Sequence, residues 1–499
     1  MASPNIKCEV AFAVGPLVTP TAPQWIDVSA YVEGFSTRRG RSNEFDTIQA
    51  GTVTLTLNNK ARLFDPTNTA STYYPNVVPG KQIRIRATWN AVDYAVFRGF
   101  VQSWQYQENG LYGSIQVSIT DVVGAYFSRL QLGNETILET TWTGISYPTS
   151  PNLVPNMGTQ PGNRKLAFTL PTLATGEAAI IYAEGTDGGG SPVNEFITLI
   201  YPTLIAQSVN NYQVLTKIQE YAYSGAAVIG KSYTVSLDPT FPSEFSGDAF
   251  QSLLDTAQWT SSSVLSGVSL VQAQTPTSNL LAALNAVVDA EDGVFFVAAD
   301  GTVTFRSRHY RITQATTTAL VNVAGTGGGL PEAVFEKIIF DNGDRYIYNE
   351  IKMQAAGGDV QVARDVTSKA AYFLRTYSKS GLLITSDAEA QAAAEWRLAR
   401  YKDPAVRVTQ VVLRGDLSTT AAWATIFGLE INTRVRVVWT PPDGGTAYTQ
   451  DSLIEGINVT GQRGSWTVTV SLSPRAITTP YLILDDATYG RLDLNALAY

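Results

Sequence analysis

At 499 residues, 44% of them hydrophobic, the chain is long enough for three or four domains with real cores. Only 16% are charged, against roughly 25% in ordinary soluble proteins, so part of the surface is uncharged and suits a subunit packed against neighbours. A net charge of −8, with no basic run longer than Arg38-Arg39, argues against direct nucleic-acid binding. The one cysteine, Cys8, excludes an internal disulfide and a cysteine zinc site. MASPNIKCEV has no apolar signal core, and no run of about 18 apolar residues occurs. The expectation is synthesis in a cytoplasm, without a classical secretion signal or a membrane-spanning helix.

Residues 1–130 read as one β domain. Asn5–Val14 is a strand candidate, and Trp25–Val32 leads into Arg38-Arg39-Gly40-Arg41. Four stretches then alternate β-branched or aromatic residues with polar ones, the period of a half-buried strand: GTVTLTLNN from Gly51, QIRIRATW from Gln82, FRGFVQSW from Phe97 to Trp104, and SIQVSITD from Ser114. Gly99, in the third, marks a bulge or a barrel bend. The long loop Thr67–Gly80 carries Tyr73 and Tyr74, which either cover the barrel end or meet a partner.

Residues 131–250 are broken repeatedly by Pro, Gly and Ser and read as an inserted β-rich domain. Residues 251–320 read as a small α+β domain. There Thr275-Pro276 opens a helix, Leu280, Leu281, Leu284, Val287 and Val288 form its apolar stripe, Gly293 ends it, and a hairpin turns at Asp300-Gly301.

Residues 321–475 repeat the opening phrase. RVTQVVLRG from Arg407, RVRVVWT from Arg434, IEGINVTG around Gly456 and WTVTVSLSP from Trp466 follow in the same order as the first set. A helix at 387–402, opened by a Ser386/Glu389 capping box, interrupts them. Its face Ala388, Ala392, Trp396 and Ala399 is expected to pack on the barrel. Residues 476–499, apolar at Tyr481, Leu482, Ile483 and Leu484, read as a C-terminal docking segment.

The expected fold class is therefore mainly β with α+β parts: two related tube-like β-barrel domains in one chain, an inserted β-rich domain and a small α+β domain. Structural or interface candidates are Tyr73, Tyr74, Gly99, Trp104, Trp396, Gly456, Trp466 and Tyr481. No catalytic, cofactor or metal site is expected. His309 is the single histidine, placed at a strand end among arginines with no nucleophile-elbow sequence, and reads as a surface residue. Asp341-Asn342-Gly343-Asp344 reads as a turn with only a loose likeness to a calcium loop. The Gly-rich stretches lack the Lys-Ser/Thr ending of a phosphate loop. A pair of carboxylates as in glycoside hydrolysis stays open, since spacing in sequence does not fix their distance.

The phrases WIDVSAYV, RRGR, GTVTLTLNN, RLFDP, YYPNVVPGKQIRIRA and FRGFVQSW resemble the minor tail proteins of long-tailed actinobacterial phages and, more widely, tail-tip or baseplate hub proteins. LLAALNAVVDAEDGVFFVAADGTVTFRSR, the YNEI segment, EAQAAAEWRLARY and LILDDATYGRLD fit the same pattern, so the likeness spans roughly 1–130 and 250–499. The resemblance implies a non-enzymatic homotrimer in the virion tail tip, two barrels per chain making a ring of six around a lumen for DNA. It also implies a distal tail ring above, the tape-measure protein end in the lumen, and tip or fibre proteins below. The alternative is a lectin-like protein recognising host glycans through 131–250, where Tyr201, Tyr212, Tyr221 and Tyr223 look exposed.

Overall fold

The computed structural model describes residues 3–109, 112–132, 135–143, 152–153, 163–225, 228–238, 240–417 and 422–474, and it is mainly β. The chain forms two compact units: residues up to Tyr126 with those from Gly293 onward, and Phe127–Asp292.

In the first unit the N-terminal half contributes β1 (Asn5–Ala11), β2 (Ile26–Asp27), β3 (Val32–Gly40), β4 (Gln49–Asn58), β5 (Gln82–Trp89), β6 (Val92–Asn109) and β7 (Tyr112–Thr120). Their alternation is the one in the sequence: along β4, Val53, Leu55 and Leu57 are buried while Thr52 and Thr54 face solvent. The strand order is β1-β5-β6-β7-β4-β3. β2 pairs with the outer side of β1, then continues through a single 3-10 turn, Ser29–Tyr31, into β3. One bent segment, Ile26–Gly40, thereby borders both ends of the ladder and closes it into a barrel.

The C-terminal half contributes β8 (Thr318–Val321), β9 (Glu332–Asp341), β10 (Glu350–Ala355), β11 (Val360–Arg364), β12 (Thr376–Leu382), β13 (Arg407–Leu413), β14 (Arg434–Trp439), β15 (Tyr448–Gln462) and β16 (Ser465–Pro474). Six of these close by main-chain pairing in the order β8-β14-β15-β16-β13-β9 and back to β8. That is the first barrel's order, strand for strand. The bulges coincide as well: the β3/β4 ladder slips between Val32 and Gly34, the β9/β13 ladder between Phe335 and Lys337. Likewise β6/β7 slips between Val101 and Ser103, and β15/β16 between Ile454 and Gly456. One strand breaks the correspondence, because β1 runs antiparallel to both its neighbours whereas β8 runs parallel to both.

The halves also differ in one connection. Residues 41–48 join β3 to β4, but between β9 and β13 the chain adds the sheet β11-β10-β12 and the helix Asp387–Tyr401. Ser386 caps that helix as expected, accepting from the Glu389 N–H at 3.2 Å. The buried face is nevertheless Ala390, Ala393, Ala394 and Tyr401, in place of Ala388, Ala392, Trp396 and Ala399, and it packs on β10 and β11 instead of the barrel. Alanines occur on every side of this helix, so their spacing selects no face.

In the second unit, strands Ala178–Thr186, Pro192–Ile200 and Val214–Ser224 form one sheet. A second sheet holds Glu135–Thr141, Leu166–Thr169, Ile205–Gln207 and Ser232–Leu237. Trp142, Phe168, Ile181, Leu199, Leu215 and Tyr233 belong to one core between them, as in a sandwich. The helices Ser246–Thr256 and Leu280–Glu291 pack together in the same unit. The second helix starts at the Asn279 cap and not at Thr275-Pro276, because Gln274 is held extended by two main-chain bonds to Phe241. The hairpin Val294–Val297 and Val303–Arg306 belongs to the first unit, so the expected 251–320 segment is divided between the two.

Candidate functional site: the joint between the barrels

The two barrels of the first unit meet along one antiparallel ladder, Gly34–Gly40 of β3 against Gly456–Gln462 of β15. β14 covers β15 only as far as Leu453, so the far half of that long strand is left to accept a strand from the other barrel. Side chains that carry a Cβ do not fit at the crossing. A Cβ on Gly456 would stand 2.5 Å from the Arg41 carbonyl oxygen, one on Gly461 2.5 Å from the Phe35 ring, and one on Gly40 2.3 Å from the Glu455 carbonyl oxygen. Gly40 also has a φ of +82°, which favours glycine.

Around the ladder lie buried charges. Arg41 donates through Nε to Glu455 at 2.6 Å, and Arg311 reaches the other Glu455 oxygen at 3.1 Å. The Ser473 hydroxyl donates to Glu455 as well. Burial alone would push this carboxyl up, but the Arg41 and Arg311 charges with the Ser473 bond outweigh it and hold it down to about 2. Arg39 pairs with Glu430 at 2.7 Å, and Glu44 with Arg407 at 2.7 Å, the latter pair 5% and 3% exposed. Arg407 also lies over the rings of Tyr346 and Tyr401.

The short 41–48 connection of the first barrel docks into the insert of the second. Phe45 sits among Tyr346, Tyr348, Tyr377 and Tyr401, with centroids from 4.7 to 6.2 Å. On the other side of the joint, Trp466 packs edge-on against Phe35 and Phe427, both at 5.3 Å, and its Nε1 donates to the Pro4 carbonyl at 2.8 Å. Apolar residues of both barrels form one continuous core. Such an arrangement holds two barrels in one fixed relation.

The sequence candidates fall in different places. Trp466 and Gly456 are in the joint. Tyr73 and Trp104 close the other end of the first barrel, stacked with Phe12 and Phe64, and the Trp104 Nε1 donates to the Val78 carbonyl at 3.1 Å. Tyr74 is exposed. Gly99 lets β6 approach β7, since a Cβ there would stand 2.3 Å from the Thr120 carbonyl oxygen. Trp396 is half-buried on its helix, and Tyr481 lies outside the described residues. Arg41, Glu44, Phe45, Arg407 and Glu455 were not singled out. RRGR and IEGINVTG were both visible as phrases, but no periodicity pairs residues from opposite ends of the chain.

His309 is exposed, on the helix Arg308–Thr313 and not at a strand end; Ser307 caps that helix and turns the chain away from the hairpin. Asp341 binds the Gly343 N–H and pairs with Arg345, so Asp341–Asp344 is a turn. Among the described residues no group of three or more His, Cys, Asp or Glu is placed to hold a metal. No helix of the described residues is long and apolar enough to cross a membrane. In the second unit Tyr201 is exposed, but Tyr212 is fully buried with its hydroxyl on Glu195 at 3.1 Å, so it presents no outward ring. It precedes the strand Val214–Ser224 and is held by an isolated bridge to Arg164.

Fold and joint together define a duplicated-barrel protein whose distinctive feature is structural. In sequence, no protein-family model and no curated protein matches the chain. In structure it is similar to the tail protein from Neisseria meningitidis MC58, at a TM-score of 0.48 and 9% identity over 94% of this chain and 96% of that one. It is also similar to the 43 kDa tail protein of prophage MuSo2 from Shewanella oneidensis, at 0.45 and 10%, over 94% and 97% of the two chains. A third is an Escherichia coli component of the type VI secretion system described as similar to T4 tail proteins, at 0.39 and 8%, over 91% and 78%.

Proposed function

We propose that the chain is a structural hub of a phage tail tip, acting as a homotrimer whose six barrels surround a lumen for DNA. The observation that carries this reading is the identical strand order, with coincident bulges, of the two barrels fixed side by side in one chain. A chain holding two equivalent barrels occupies two positions of a six-membered ring, so three chains complete it by a cyclic, head-to-tail interface. The sequence resemblance to tail-tip proteins supplies the setting: a distal tail ring above, the tape-measure end in the lumen, tip or fibre proteins below. A net charge of −8 suits a passage through which DNA slides without adhering. No catalytic role is assigned. Native mass spectrometry of the purified chain, with averaged electron-microscope images, tests it: a trimer with a threefold axis is expected, and a monomer at all concentrations overturns it.

A second role, contact with host glycans, draws on Phe196 of the second unit, 53% exposed, with Tyr182 and Tyr221 against it at 5.2 and 4.5 Å. Aromatic rings on an open strand face stack on sugar rings. Retention on a glycan array that Phe196→Ala abolishes is the expected result; no retention by the full chain removes this role.

A further inference from the structure

The ladder that joins the barrels within one chain uses β3 of the first and β15 of the second. Each has a counterpart in the other barrel: β9 stands where β3 does, and β6 where β15 does. Both counterparts keep the matching edge open. β5 covers β6 only to Phe100, with Val101 held by Lys81, and among the described residues no strand follows β6 on that side through 102–109. β8 covers β9 only over Glu332–Val334, and among the described residues no strand continues on that side to Asp341. These are the stretches that β15 and β3 commit to each other.

Burial differs at equivalent positions accordingly. On β3, Phe35 is 4% and Thr37 2% exposed, covered by the other barrel; their counterparts on β9 are Ile338, half-buried, and Phe340, 36% exposed. Ile339 is exposed too. The Phe340 ring packs on Trp439 and Tyr448 of its own barrel, but the main-chain edge beside it stays open, and an open strand edge flanked by apolar residues is a template for another strand.

We infer that β9 of one copy pairs antiparallel with β6 of a second copy, repeating between chains the ladder that β3 and β15 make within one. The two bulges shared by the halves fix the register. Gly34, opposite Gln462 in the internal ladder, corresponds to Lys337, and Gln462 corresponds to Asn109. Asp341 therefore lies opposite Gln105, Phe340 opposite Tyr106 and Ile339 opposite Gln107. The interface is heterologous, so it propagates from chain to chain until the ring closes. This pairing deepens the ring reading given above and rests on it for the limit of three chains.

The test is a cysteine pair in the full chain, whose native Cys8 is fully buried. Directly opposed strand residues are within disulfide reach, and a one-residue slip sends the side chains to opposite faces. Asp341→Cys with Gln105→Cys is expected to give, on mild oxidation, intermolecular disulfides in a non-reducing ladder that stops at the trimer. Phe340→Cys with Gln105→Cys is expected to give none. A trimer by native mass in which the first pair fails to cross-link, or links only within a chain, overturns the strand pairing and leaves the ring reading standing. A monomer by mass with no cross-link overturns both.

Discussion

Arg41 and Glu455 lie 414 positions apart in the chain and meet at 2.6 Å, with 10% and 2% of their side chains exposed. Their pairing ties the end of β3 to the bulge of β15, where the two barrels join. Removing one member of a buried pair strands the other charge, which costs about 3–5 kcal/mol. Glu455→Ala is expected to lower the unfolding free energy by about that much, and Glu455→Gln, which keeps an acceptor, by less. Chemical denaturation checks this; an unchanged midpoint for Glu455→Ala would sink the view of the pair as the lock of the joint.

Two buried carboxylates give opposite pH dependences. Burial raises Asp121 to about 6, although the N–H groups of Gly51, Val123 and Gly124 donate to it. A raised folded value means its contribution is present below the unfolded value of about 3.9 and is lost as pH climbs through 6, roughly 3 kcal/mol in all. Glu455, held at about 2, contributes above its unfolded value of about 4.3 and loses that as pH falls through 2. Asp121→Asn does not titrate, so the stability gap between it and the unmodified chain should narrow or change sign from about pH 4 to about pH 7. Urea unfolding across that range reads the gap directly; a constant gap contradicts the assignment.

Gly456→Ala should be costly because the new Cβ meets main chain, which yields less than a side chain does. Crowding of this kind typically costs about 1–3 kcal/mol. Gly15→Ala, with nothing within 4 Å, is the neutral comparison. Thermal unfolding of the two variants should separate them clearly.

Phe45→Ala empties the space among Tyr346, Tyr348, Tyr377 and Tyr401. A fully buried Phe→Ala change costs about 3–5 kcal/mol, and Phe45 is half-buried, so about half of that is expected. The insert, residues 342–406, should also become easier to cut in limited proteolysis, because its anchor to the first barrel is gone. Cleavage at the unmodified rate would mean that Phe45 does not anchor the insert.

Much of the barrel architecture was legible. GTVTLTLNN, QIRIRATW, FRGFVQSW and SIQVSITD are β4 to β7, and their echoes are β13 to β16, because a strand with one buried face writes its period of two into the residues. The strand Asn5–Ala11 was legible too, but its counterpart in the second barrel was not. β8 has all four residues buried, so it shows no alternation, and its reversed direction left no trace in its composition. The helix 387–401 was visible from its cap, yet its buried face was not, since alanine suits any side.

The sequence by itself determined that one set of four strands recurs at the two ends of this chain, since side-chain alternation is a local property carried by a few adjacent residues. Only the tertiary structure decided how the two are joined. The partners of Arg41, Glu44, Phe45 and Phe35 lie hundreds of residues away, and nothing short of the folded chain brings such residues within contact distance.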